Sequence, residues 1–151
     1  MTASLAAGWG CALLAAPFLP AALSAVVYLS GSVVCHQLAD RSYHVGGAQL
    51  PVCARCIGVY WGLAAGLLAS RLVAAPRWHR GSVLAVLTGA VTLNLVTVVY
   101  ESLRQVPTPP ELRTAAGGVL GLGIAAVVTW AEATLHYGRW PQRPRRHAGT
   151  T

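Results

Sequence analysis

Charge is scarce in this sequence. Charged residues make up 10% of its 151 positions, where a water-soluble domain usually carries about 25%. The acids number four: Asp40, Glu101, Glu111 and Glu132. Lysine is absent, so all 11 basic residues are arginine. A charge complement this thin does not cover a water-facing surface, which excludes an ordinary soluble domain. With hydrophobic residues at 55% and a mean hydropathy of +0.55, a lipid bilayer is the simplest solvent that fits. The net charge of +7 does not point to nucleic acid. The arginines sit at the ends of apolar runs and in the C-terminal tail, where membrane topology puts them, and no basic stripe alternates with aromatics. A phosphate-binding glycine loop, paired carboxylates and a nucleophile-elbow motif are also lacking. Whether the chain is an enzyme is left open by these absences.

What is present is a series of apolar runs. The first extends from Leu5 to Val34 without a charged side chain, longer than the roughly 20 residues that span a bilayer. Pro17 and Pro20 interrupt it, and should kink the helix or mark its true start after an interfacial segment. No basic residue precedes the run, which disfavours a signal peptide cleaved near Ser24-Ala25. The second span is roughly Cys53 to Leu72. Only Cys56 to Ser70 is free of charge, so Arg55 and Arg71 are expected to snorkel outward from its two ends. The third and fourth spans run from about Ser82 to Tyr100 and from about Thr114 to Leu135. These patterns predict an all-α integral membrane bundle of about four transmembrane helices. It occupies residues 1–138 as one domain, with spans at about 8–34, 53–72, 82–100 and 114–135. Residues 139–151 form a basic tail, expected to be disordered at the membrane surface.

With four spans, Arg71, Arg77, Arg80, Arg139, Arg143, Arg145 and Arg146 share one side with both termini. Arg41, Arg55, Arg104 and Arg113 lie on the other side with most of the acids. The positive-inside rule then places both termini in the cytoplasm. Gly58, Gly62 and Gly66 repeat every four residues on the second span, and Gly117 and Gly121 do so on the fourth. Such stripes let backbones approach closely. Packing within one bundle is the plain expectation, and pairing of two chains is the other use. Asn94, mid-way along the third span, needs a hydrogen-bond partner at that depth, and an interhelical bond is expected. Glu132 is expected to pair with Arg71 or Arg139.

The residues that carry chemistry gather where the first two spans meet the membrane surface. Cys53-Ala54-Arg55-Cys56 sets two thiols three residues apart at a helix start, and Cys35-His36 ends the preceding span. Three thiolates and an imidazole match a tetrahedral zinc site in number and type. The same atoms serve a redox reading. A helix N-terminus and Arg55 both favour thiolate at Cys53 and Cys56, and Cys35 is placed as a resolving thiol. A quinone-linked disulfide-forming enzyme shares this layout by analogy alone. The third reading is a structural staple with no turnover. Gln37, Arg41, Ser42, His44 and Gln49 make the connector between the spans unusually polar, and His44 is an alternative ligand to His36. Asp40 and Arg41 are expected to pair with each other. Cys11, alone in an apolar run, reads as a buried structural thiol.

Cys35-His36-Gln37, Arg41-Ser42, Leu50-Pro51-Val52-Cys53-Ala54-Arg55-Cys56, then Gly58, Tyr60 and Gly62 resemble a bacterial family of small predicted membrane proteins, domain of unknown function family 2085. Arg113-Thr114-Ala115-Ala116-Gly117 is a weaker echo. The resemblance implies that the Cys-His-Gln and Cys-x-Arg-Cys elements belong to one site; together with the four spans and the arginine distribution read above, the expectation is a multi-pass protein of a bacterial inner membrane. It supplies no activity. It also leads one to expect an acid in the third span where this chain has Asn94, which weakens any proton relay.

Overall fold

The structure, a computed structural model, describes residues 2–72, 79–106 and 108–137. The predicted tail, and the pairing of Glu132 with Arg139, lie outside the described residues. Five α-helices dominate: α1 (Thr2–Ala15), α2 (Ala21–Val34), α3 (Ala54–Leu72), α4 (Arg80–Arg104) and α5 (Pro110–Tyr137). Between α2 and α3 lies a connector holding a two-stranded antiparallel ribbon, β1 (His44–Val45) and β2 (Ala48–Gln49). Gly46 and Gly47 turn this ribbon with φ of 59° and 81°, the positive values that a two-residue hairpin turn demands at both central positions.

Helices α4 and α5 are long and apolar enough to cross a membrane, with mean hydropathies of 2.1 and 1.7 over their spanning windows. Proline and glutamine punctuate them. Gln105 adopts a left-handed conformation (φ 55°) and donates its N–H to the Glu101 carbonyl, closing α4. Pro110 opens α5, where its missing N–H is no loss.

The first apolar stretch is broken at its prolines. A short 3-10 turn, Ala16–Phe18, follows α1, and α2 restarts after Pro20. Proline at these two positions removes the N–H groups a continuous helix would need. Helix α1 runs antiparallel to α3: Trp9 meets Tyr60 edge-on with ring centroids 6.3 Å apart, and Trp61 packs over Gly10. Cys11 is exposed rather than buried. The buried face of α1 runs through Gly10 and Leu13, and Cys11 falls outside it.

Helices α3 and α5 lie parallel, glycine against glycine. Gly58 abuts Thr114, Gly62 abuts Gly118, and Gly66 sits against Leu122 and Ala125. Gly117 and Gly121 close on the backbone of Arg55 and Val59 from the other side. Both stripes are thus consumed by each other within one chain, as small-xxx-small packing allows. Helix α4 packs antiparallel on α5, with Gly123 beside Leu87 and Ala90. Asn94 Nδ2 donates to the Ala116 carbonyl at 2.8 Å and to Ala90 in its own helix at 3.0 Å. This is the expected interhelical bond.

These directions bring the C-terminal ends of α1 and α4 and the N-terminal ends of α3 and α5 to one end of the bundle. The connector covers that end. Leu13, Ala16, Val27, Cys35, Leu50, Val52 and Ile57 form the buried core there.

Candidate metal centre

The three thiols of Cys35, Cys53 and Cys56 converge at this end, their Sγ atoms all within 4.8 Å of one another. Cys53 stands just ahead of α3 and Cys56 lies in its first turn, so both thiols come from one helix start. Cys35 closes α2 in an extended conformation (φ −139°, ψ 134°) and is 7% exposed. The Cys53 N–H donates to Cys35 Sγ at 3.2 Å, which ties the two halves of the cluster together.

Cys53 occupies the position where a side chain caps a helix. The Cys56 thiol donates to its sulfur, and the backbone N–H groups of Cys56 and Arg55 add to this. Against the opposing effect of burial, these donors hold the Cys53 thiol down to about 5, the behaviour expected of a thiolate accepting the free N–H groups of a helix start.

His36 is exposed and lies outside the thiol group. The extended backbone at Cys35 explains this, because successive side chains of extended chain point to opposite sides. Cys35 turns inward and His36 outward. His44, on β1, is also exposed. Among the described residues, the ligand-type side chains brought together are therefore the three cysteines.

The polar residues of the connector hold it in shape around the thiols. Gln37, at φ 51°, donates through Nε2 to the carbonyls of Tyr28 (2.8 Å) and Pro51 (2.7 Å). Gln49 Nε2 donates to the Gln37 carbonyl at 2.6 Å and to Ser42 Oγ at 3.3 Å. The Tyr28 hydroxyl donates to the Gln49 carbonyl. Ser42 is buried and donates to the Leu38 carbonyl at 2.9 Å. Arg41 pairs with Asp40 at 3.7 Å on the surface, as expected. Tyr43 then fastens the connector to the bundle through Thr114 Oγ1 at 2.9 Å, and Thr114 also reaches the Ala54 carbonyl at 3.2 Å.

Arg55 does not snorkel. It turns into the bundle, where Nη2 lies 3.1 Å from Thr97 Oγ1 and 3.3 Å from Glu101 Oε1. The same carboxylate oxygen accepts from Arg113 Nε at 2.9 Å and from Thr108. One glutamate thus joins the ends of α3, α4 and α5. Sequence spacing did not reveal this network, because its members lie 12 and 46 residues from Glu101 along the chain. At the far end of the bundle, Arg71 meets Glu132 at 3.5 Å with both side chains exposed.

A family model described as a predicted membrane protein (DUF2085) matches residues 35–127, from the first thiol through most of α5. An uncharacterized protein of Methanocaldococcus jannaschii is 39% identical over 46 residues, a match covering 30% of this chain and 30% of that protein. The matched stretch is therefore under a third of that relative's length. No solved structure matches the chain. Since the family model takes in more than half of the residues and all three clustered thiols, the chain belongs to the DUF2085 family of predicted membrane proteins.

Proposed function

We propose that this is a multi-pass membrane protein whose Cys35, Cys53 and Cys56 bind a transition-metal ion, zinc first, at one membrane surface. The observation that carries the reading is the convergence of three sulfurs within 4.8 Å from two separate chain segments. Four thiolates around zinc at about 2.3 Å stand about 3.8 Å apart, so the three need only close slightly. In this reading α1, α3, α4 and α5 span the bilayer, both termini share the arginine-rich cytoplasmic side, and the thiols face outward. His36 is the proposed fourth ligand, which it reaches by a turn of the peptide joining it to Cys35. The ion would hold the connector to the bundle, and a sensing or transport role would use the exposed side on which His36 lies. Whether the membrane is a bacterial inner membrane belongs to the same proposal.

A thiol-disulfide exchange reading, with Cys53 and Cys56 as the working pair and a quinone as electron acceptor, uses the same convergence. Burial of Cys35 favours metal over exchange, because a resolving thiol must be reached and exchange follows access. A purely structural or interaction protein is the remaining alternative.

Metal analysis with thiol counting on the detergent-purified protein tests the proposal. About one zinc per chain is expected, released with three thiols on denaturation. Cys35→Ser, Cys53→Ser and Cys56→Ser should each lose the ion. His36→Ala should weaken binding about tenfold or more while His44→Ala leaves it unchanged. A folded protein with no metal and a Cys53–Cys56 disulfide that cycles in cells would establish exchange instead.

A further inference from the structure

We infer that α2 does not cross the membrane but lies in its interface, with its outer face in the acyl chains of the lipid. The inference rests on the membrane reading proposed above and adds a lipid contact to it.

Helix α2 has 14 residues, the same as α1, so its placement and not its length distinguishes lying flat from crossing. Both of its flanks reach the same end of the bundle. Ala16 before it and Cys35 after it belong to one buried core, together with Val27 from its middle. A helix whose two flanks and centre meet one core lies across the end of the bundle, not along its depth. Its inner face touches the connector: Tyr28 reaches Gln49, and Gly31 fits so closely against Pro51 that a side chain there would displace one of them.

The outer face carries Leu23, Val26, Leu29, Val33 and Val34, with Leu29 69% and Val33 84% exposed. The two exposed hydroxyls on the helix are already satisfied. Ser30 donates to the Val26 carbonyl and Ser32 to the Leu29 carbonyl, each at 2.8 Å. Such back-bonding lets serine sit where no water is at hand.

The start of α2 sets its depth. Pro20 precedes it and no side chain caps it, and Ser24 is the first residue to find a backbone carbonyl, that of Pro20. The N–H groups of Ala21, Ala22 and Leu23 therefore need water or lipid phosphate, which the interface supplies and the bilayer centre does not. Helix α2 has no charged face; the connector on its inner side and its free N–H groups at the start supply the polar side that an interfacial helix needs.

Depth-dependent quenching in vesicles of phosphatidylcholine brominated near the headgroup or near the methyl ends tests this. Single substitutions Leu29→Trp on α2 and Val91→Trp mid-way along α4 are compared with the parent chain. The added emission at position 29 should be quenched about twofold more by the shallow bromines, and that at position 91 more by the deep ones. Deep quenching at position 29 overturns the inference in favour of a spanning α2. No quenching there by either lipid, with position 91 quenched, overturns it in favour of a helix outside the lipid. If position 91 is also unquenched, the membrane reading itself fails. Val33→Trp repeats the measurement should Leu29→Trp not fold.

Discussion

Glu101→Gln should destabilise the folded protein by about 3 kcal/mol or more, measured as unfolding in mixed micelles with increasing denaturing detergent. The carboxylate is 7% exposed and Arg113 2% exposed. Arg55 Nε and both terminal nitrogens of Arg113 are buried without partners. Neutralising Glu101 leaves the buried Arg113 guanidinium without its partner and the partly exposed Arg55 with only Thr97, and breaking a buried pair by removing one member costs far more than the pair contributes. The helix ends explain why these charges stand where they do. Arginine at the start of α3 and α5 opposes each helix's own dipole, as does glutamate near the end of α4. Across the helices the signs are complementary, because Glu101 faces the positive starts of α3 and α5 and the arginines face the negative end of α4. The network is therefore a lock on the relative placement of three helix ends, with Cys53 and Cys56 beside one of them.

The surface pair supplies the contrast. Glu132→Gln, which breaks the exposed Arg71–Glu132 pair at 3.5 Å, should change stability by no more than about 0.5 kcal/mol. Arg113→Met in the Glu101→Gln background should recover part of the lost stability, since it removes one of the stranded charges. Equal effects at Glu101 and Glu132 would mean that water reaches the network and that it is not the lock described.

Much of this architecture was legible in the residues. The charge-free runs foretold α4 and α5, and the glycine spacing foretold close packing of two helices within the bundle, because both signals are local and periodic, although the spacing did not say that the two stripes meet each other. The thiol pair and Cys35 were legible for the same reason: a three-residue spacing at a helix start puts two sulfurs on one side. The remainder depended on conformations or partners that no local pattern encodes. An apolar run of the length of Leu5 to Val34 suits one kinked helix or two separate helices equally, until the break at Pro17 and Pro20 and the packing of Val27 and Cys35 into one core decide between them. His36 stands beside Cys35 in sequence, yet the extended backbone sends it the other way. Arg55 at a helix end ordinarily snorkels, and only a glutamate 46 residues away draws it inward. The polar connector looked too rich for a simple link, and the reason is now visible: Gln37, Gln49, Ser42 and Tyr43 supply hydrogen bonds that its two-residue strands and single 3-10 turn leave unmade.

Replacing Gly62 should have an effect as large as that of Glu101. Gly62→Ala adds a methyl group that would overlap the Gly118 carbonyl, and backbone on the facing helix cannot rotate away as a side chain can. Alanine's better helix propensity offers about 1 kcal/mol in return, less than the strain of forcing two packed helices apart, commonly about 1–3 kcal/mol and more against rigid backbone. Gly62→Leu should abolish folded protein. Gly89, on α4, has nothing within 4 Å of its Cβ position, so Gly89→Ala should be neutral or stabilising by up to about 1 kcal/mol. The consequence reaches the thiols. The contact from Gly58 to Thr114 lies one turn nearer the site, and Thr114 holds both the Ala54 carbonyl and Tyr43 of the connector. Separating α3 from α5 therefore releases the connector from the bundle and with it the seat of Cys35. Gly62→Ala protein that remains folded should bind metal more weakly than the parent, although none of its ligands has changed. Unaltered stability and metal affinity in Gly62→Ala would show that α3 and α5 are not in backbone contact in the membrane.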